Sequence, residues 1–365
     1  MLLPHLLCAA AALFAPQQPG QEPPPPPPPA TEPAKPVQSV PAIRMGGAAP
    51  QEPVKAAAKA EPPVYDEQAD GRQQVAAALA KAKKENRRVL IQWGANWCGW
   101  CKWLAGTMKS DAALRRKLQY EYDVVHIDVG RFNKHKELAA ELGADFKAIP
   151  FLTILDAEGK PLVQQNTEPF ETKVDGNPGH DAKKLVEFLT THEAKPLAAA
   201  AVLATGLRQA AEQQKMVFLH FGAPWCGWCH KLEDWMARPE IAAVLGKAFV
   251  DVKIDNDRMS GGKDLYEAHI AKAGLKPGGI PWFAFLGGDG AILAHSNGPQ
   301  GNLGFPYQPE EVEHFGTMLR NAKVALGEPD IVLLAKSLHD NREAEAKQKA
   351  AAKQKAAATG QGAPR

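Results

Sequence analysis

Short apolar runs of strand length alternate with stretches of helical spacing through most of this chain, and they do so twice in the same order. In the first copy an Ala-rich stretch over residues 66–88 has helical spacing and leads into Arg88-Val89-Leu90-Ile91-Gln92-Trp93. Helical spacing resumes at Lys102-Trp103-Leu104, then a helix is expected over 111–120, a strand over 124–129 and a helix over 135–142. The second copy repeats this with a helix over 197–215, the run Met216-Val217-Phe218-Leu219-His220-Phe221, a helix carrying Leu232, Trp235 and Met236, and then segments 240–245, 249–254 and 263–273. In each copy a later Ile-Pro opens another strand, Phe151 to Leu155 and Trp282 to Leu286, and each strand runs into an Asp/Gly hairpin signal. Strands on either side of a helix are joined by a crossover and are expected to pair in parallel. The pattern predicts an α/β chain with two units, residues 64–194 and 195–327, each a central mixed β-sheet flanked by helices. The interval between them is short, so they are expected to be close neighbours.

The flanks break the pattern. Residues 1–15 are apolar but too short to span a bilayer, and they read as the h-region of a secretory signal peptide. The expected location is therefore extracytoplasmic, either periplasmic or secreted. The segment has no Lys/Arg n-region, and Pro16 directly after Ala15 disfavours cleavage there. Leu7 stands before Cys8 where a lipoprotein usually has a small residue, so a plain export signal that removes Cys8 is preferred to a lipid anchor. Residues 16–63, with the run Pro23 to Pro29, form a low-complexity, disordered, polyproline-like spacer. Residues 328–365 are expected to be a helical to disordered tail, basic and rich in Ala and Lys, that serves solubility. Net charge is only +2 with 23% charged residues, which does not suggest bulk nucleic-acid binding. No stretch reaches the roughly 18 apolar residues of a membrane span.

The candidate chemistry is concentrated in one motif. Trp-Cys-Gly-Trp-Cys occurs at Trp97 to Cys101 and again at Trp225 to Cys229, and these pairs hold four of the 5 cysteines. Each motif follows a strand and a small-residue pair, Gly94-Ala95 or Gly222-Ala223, and precedes a helix. That puts Cys98 and Cys226 at or near a helix N-terminus, where unpaired N–H groups and the helix dipole stabilise a thiolate. Two intervening residues allow Cys101 and Cys229 to close a disulfide with them. The pairs lie far apart in sequence and each has its own strand–helix context, so they are not read as a shared zinc site. His126, His135, His180, His269, His295 and His314 are scattered, and no metal is expected.

Both units resemble thioredoxin domains, on the strength of the Trp-Cys-x-x-Cys motif, its strand–helix context and the later Ile149-Pro150 and Ile280-Pro281. The resemblance covers about residues 65–192 and 197–325 and implies thiol–disulfide exchange. Cys98 and Cys226 would be the exchanging sulfurs, and Cys101 and Cys229 would resolve the mixed disulfide. Pro150 and Pro281 would carry cis peptide bonds beside the disulfides and offer backbone to a substrate strand. Trp97, Gly99, Trp100, Trp225, Gly227 and Trp228 would complete the sites. The two tryptophans between the cysteines either form an apolar lip for substrate or simply cover the sulfurs. Lys102 and His230 would bias the local potential. The family often has a buried acid six positions before the first cysteine, where this chain has Gln92 and His220. Gln92 cannot accept a proton, whereas His220 either transfers one or is a packed strand residue. The insertion Asn302 to Tyr307 either shapes a substrate groove or is only a long loop.

No cofactor is implied, because electrons come from another dithiol. The implied activity is that of a protein thiol–disulfide oxidoreductase acting on exported proteins, taken here as a reductant. Its partners would be protein thiols or disulfides and a dithiol electron donor or acceptor. A disulfide isomerase or oxidant is the nearest alternative. A peptide-binding scaffold with structural disulfides is the alternative of another class.

Overall fold

The strand Arg88–Gly94 (β1) shows how each half is built: Val89, Ile91 and Trp93 pack on one side of the sheet, while Leu90 packs on the other. Both faces are covered, so the strand is apolar almost throughout. The computed structural model describes residues 62–174 and 176–358, with side chains through 354. The expected signal segment, nearly all of the proline spacer and the end of the tail lie outside the described residues.

The first half runs α1 (Gly71–Glu85), β1, α2 (Gly99–Ser110), α3 (Ala112–Glu121), β2 (Tyr122–Asp128), α4 (Lys136–Glu141), β3 (Phe151–Leu155), β4 (Pro161–Asn166), β5 (Glu171–Val174), β6 (Asn177–His180) and α5 (Ala182–His192). Its sheet has the order β2-β1-β3-β4, with β1 parallel to β2 and antiparallel to β3. The second half runs α6 (Ala199–Glu212), β7 (Met216–Gly222), α7 (Gly227–Met236), α8 (Pro239–Ala248), β8 (Phe249–Asp255), α9 (Gly262–Lys272), β9 (Trp282–Leu286), β10 (Ile292–His295), β11 (Asn297–Gly298), β12 (Gly301–Asn302), α10 (Pro309–Asn321) and α11 (Glu328–Ala358). Its sheet order is β10-β9-β7-β8, with the same parallel and antiparallel pairings. The expected mixed sheets flanked by helices are both present.

One boundary and one packing contact differ from the sequence expectation for identifiable reasons. The first helix starts at Gly71 rather than at residue 66, because the Asp70 carboxylate caps the N–H groups of Arg72 and Gln73. Residues 64–69 instead run across the body of the first half and bury Tyr65 completely. The expected tail also begins inside the fold. Ile331, Leu334 and Leu338 of α11 are buried in the core formed by α7, α8 and α10. The Ser337 hydroxyl accepts from Trp235 Nε1 at 2.9 Å, and Lys231 Nζ donates to Glu345 at 2.8 Å.

The two halves also touch. Arg258, in the loop after β8, donates to the carbonyls of Glu85 (2.7 Å) and Asn86 (2.8 Å) and to the Glu121 carboxylate (3.0 Å). Tyr120 of α3 donates its hydroxyl to Asp257 at 2.8 Å, and Gln119 donates to the Pro224 carbonyl at 2.9 Å. Helix α3 of the first half therefore leans on the loop that carries the second cysteine motif.

Candidate active sites at the two cysteine pairs

Strand β1 ends at Gly94 and α2 begins at Gly99, so Cys98 is the residue that caps the helix. Cys226 caps α7 in the same way. Each capping Sγ accepts the backbone N–H of the second cysteine, Cys101 or Cys229, at 3.1 Å. A sulfur in that position feels both an N–H donor and the positive end of the helix, which favours its thiolate when the disulfide is opened. Both pairs, Cys98–Cys101 and Cys226–Cys229, are disulfides. Cys101 and Cys229 are buried beneath them.

The Ile149–Pro150 and Ile280–Pro281 bonds are both cis. The carbonyl of Ile149 lies 3.6 Å from Cys98 Sγ, and that of Ile280 lies 3.5 Å from Cys226 Sγ. The expected cis bonds are thus present at both positions. Gly99 and Gly227 each open their helix, and a side chain at Gly227 would meet open space, so nothing steric demands glycine there.

The tryptophans divide by position. Trp97 and Trp225, just before the first cysteines, are 46% and 58% exposed. Each is anchored by its indole N–H, Trp97 to the Gly130 carbonyl at 2.8 Å and Trp225 to Asp257 at 3.0 Å. Between the cysteines, Trp100 is half-buried and stands edge-on to His180, while Trp228 is 48% exposed. Trp228 lies beside Phe305 and Tyr307, with Lys231 4.5 Å from its ring. The insertion therefore reaches the second site: Phe305 and Tyr307 join Trp228, Ile280 and Pro281 in lining one cavity of about 610 Å³. In the first half the β5–β6 hairpin takes the corresponding place through His180. Lys102 is exposed, and His230 bonds the Pro224 carbonyl at 2.9 Å.

The corner behind the second cysteine is where the halves part. Gln92 donates from Nε2 to the Cys101 carbonyl at 3.0 Å and to the Tyr65 hydroxyl at 2.7 Å. His220 is buried but committed to Asp251 of β8, with Nε2 2.9 Å from the carboxylate. An acid beside Cys229 comes from the helix. Glu233 is 7% exposed and pairs through Oε2 with Lys253 at 2.8 Å. Its Oε1 has no hydrogen-bond partner among the described residues and faces the same corner as Cys229 Sγ. Sequence reasoning missed Tyr65, Glu233 and Lys253. The signal for Glu233 was available, since it lies one helical turn after Cys229 and faces the same way. Nothing local pointed to Tyr65. Among the described residues no group of three or more His, Cys, Asp or Glu side chains could hold a metal ion.

His180 supplies a pH test. Burial pushes its imidazole down to about 4, and neither ring nitrogen has a partner among the described residues. An unfolded histidine titrates near 6.5. Below that pH the unfolded chain takes up a proton that the folded chain refuses, so stability falls as pH drops from about 6.5 to about 4. Urea titrations at about pH 7 and about pH 5 should show a loss of roughly 2 kcal/mol from this group, and His180→Phe should remove that part of the loss. An identical pH dependence in the variant would rule His180 out as the source.

The comparisons with known proteins follow the same division. A family described as thioredoxin-like matches residues 70–157. A DsbH thioredoxin family, whose description reads "Protein of unknown function, DUF255", matches residues 180–303. Each match contains one Trp-Cys-Gly-Trp-Cys. Protein disulfide-isomerase erp38 of Neurospora crassa is 28% identical over 196 residues, which are 52% of this chain and 49% of that protein. The chain thus spans about half the length of this curated relative. Among solved structures, the disulphide isomerase from Xylella fastidiosa Temecula1 is 28% identical, covering 36% of this chain and 98% of that one, with a TM-score of 0.30. The C-terminal domain of Neisseria meningitidis DsbD in its oxidised form is 19% identical, covering 34% and 96%, with a TM-score of 0.26.

Proposed function

With two thioredoxin-like domains as the premise, we propose that the protein is a thiol–disulfide oxidoreductase that reduces disulfides of exported proteins at both cysteine pairs. The observation that carries this reading is the capping sulfur: Cys98 and Cys226 each sit on a helix N-terminus, beside the carbonyl of the isoleucine that precedes a cis proline and beside an exposed tryptophan. In the reduced enzyme the capping thiolate attacks a substrate disulfide, forms a mixed disulfide and expels one substrate thiolate. Cys101 or Cys229 then loses its proton and attacks the capping sulfur. The new intramolecular disulfide forms, and the second substrate sulfur leaves as a thiolate that is protonated by water. A second dithiol protein returns two electrons, and no cofactor takes part.

Glu233 supports exchange at the second pair, in either direction. A base behind Cys229 is useful when that sulfur must become the attacker, which is the step that releases a reduced substrate. The export part of the proposal rests on the apolar residues 1–15. Isomerase activity is the second reading, favoured by the name of the Neurospora relative.

The deciding experiment is the reduction potential of each pair. The Cys226→Ser/Cys229→Ser and Cys98→Ser/Cys101→Ser proteins would be equilibrated in glutathione buffers and their free thiols counted by mass spectrometry. Values near roughly −270 mV fit a reductant, and values between about −180 and −120 mV fit an isomerase or oxidant. A pair that stays oxidised well below about −300 mV would be a structural disulfide, and the enzymatic reading of that site would fall.

A further inference from the structure

The same small space behind the second cysteine is filled differently in the two halves. A side-chain carbon built on Gly94 would lie 2.1 Å from the Tyr65 hydroxyl oxygen and 2.9 Å from Cys101 Sγ. One built on Gly222 would lie 3.3 Å from Cys229 Sγ and 3.7 Å from Glu233 Oε1. The phenol in the first half and the carboxylate in the second thus both stand beside this glycine and the second cysteine. The surrounding residues are exchanged as a set. Where the second half has Glu233 four positions after its last cysteine, the first has Ala105. Where the second has Pro224 just before its motif, the first has Asn96.

Asn96 is what holds the tyrosine. Its Oδ1 accepts the Tyr65 backbone N–H at 3.0 Å, and its Nδ2 donates to the Tyr65 carbonyl at 2.8 Å. A proline at that position could make neither bond. Tyr65 is fully buried and packs with both Cys98 and Cys101. Its hydroxyl accepts from Gln92 Nε2, which leaves its own hydrogen for another acceptor. A disulfide sulfur is a weak acceptor, whereas a thiolate is a strong one. Two titratable groups face the ring from β2: His126, edge-on at 5.6 Å, and Asp128, which acts on it through its charge.

We propose that the Tyr65 hydroxyl is the hydrogen-bond donor that stabilises the Cys101 thiolate in the reduced first site, a positioning role that Glu233 replaces with a base in the second. The inference rests on the reading of both pairs as redox-active. Burial raises the phenol far above its ordinary value, so it stays protonated and donates without taking the proton. The Cys101 proton leaves to solvent. The thiolate then attacks Cys98 Sγ, the bond from Cys98 to substrate breaks, and the electron pair departs on the substrate sulfur. The first site therefore follows the ionisation of Cys101 itself, whereas the second has a carboxylate to receive the proton.

The test uses the full chain with Cys226→Ser and Cys229→Ser, so that only the first pair reports. Thiolate absorbance and alkylation rate of Cys101 are followed against pH in the additional Cys98→Ser background, with Tyr65 intact and as Tyr65→Phe. Release of a preformed mixed disulfide on Cys98 is timed in the protein that keeps Cys98. Tyr65→Phe should lower the neutral-pH thiolate fraction of Cys101 about tenfold and slow release by a similar factor. Asn96→Ala, which unhooks the tyrosine without removing it, should move both readouts the same way and decides the matter if Tyr65→Phe does not fold. Unchanged ionisation and release in folded variants would overturn the proposal. Should the Tyr65-containing pair fail to exchange with any disulfide, the functional reading fails instead, while the thiolate titration still measures what Tyr65 does.

Discussion

The Cys98→Ser/Cys226→Ser protein should lose thiol–disulfide exchange to the uncatalysed background, a fall on the order of 10³-fold or more, as expected when a nucleophile is removed. Serine keeps the cap, since its oxygen accepts the same N–H, so the helices should stay in place. What disappears is the ionised nucleophile, because a hydroxyl at this pH carries no comparable anion. Turnover of an insulin-type disulfide substrate with a dithiol donor checks it. The single variants carry the finer information. If the sites work in parallel, Cys98→Ser and Cys226→Ser each leave the activity of the other. If either single variant is as dead as the double, the two pairs work in series, with one passing electrons to the other. Full activity in the double variant would remove these sulfurs from the chemistry.

Arg258→Ala should lower stability by about 3 kcal/mol, because it leaves a carboxylate and two carbonyls without their donor in a mostly closed contact. Arg258 is the fork that joins Glu121 to the carbonyls of Glu85 and Asn86, and its side chain is only 9% exposed. Arg258→Lys should recover only part of the loss, since a single ammonium cannot reproduce the planar fork. Urea unfolding followed by tryptophan fluorescence checks both variants. Asp257, the next residue back, anchors Trp225 and receives Tyr120, so losing the Arg258 clamp should loosen the loop that carries both contacts. Exchange at the second cysteine pair should therefore slow more than exchange at the first. A loss well under about 1 kcal/mol would mean that other contacts hold the halves together.

What could be read in advance was what repeats locally. The strand before each motif and the capping position of Cys98 and Cys226 follow from short patterns, and the cis prolines Pro150 and Pro281 follow from the resemblance that those patterns carry. Sequence spacing also fixed the parallel pairing of β1 with β2, since a helical crossover leaves little other choice. What was hidden depends on contacts between distant residues. Tyr65 lies just before the stretch expected to be helical, and its bonds to Asn96 hold it against the disulfide. Glu233 and Lys253 meet only because β8 and α7 pack together. His220, which the sequence leaves open between proton transfer and strand packing, is held by Asp251, a partner on the neighbouring strand.

The helix after residue 327 sets the limit of any excised fragment. Ending an expression fragment where the last thioredoxin-like pattern ends would remove Ile331, Leu334 and Leu338, and with them the lid over Trp235, Phe315 and Leu319. Such a fragment would present an uncovered apolar face to water and tend to associate through it. A fragment ending after Glu345 keeps that lid and also keeps the carboxylate that holds Lys231 beside Trp228, so the rim of the second site travels with it.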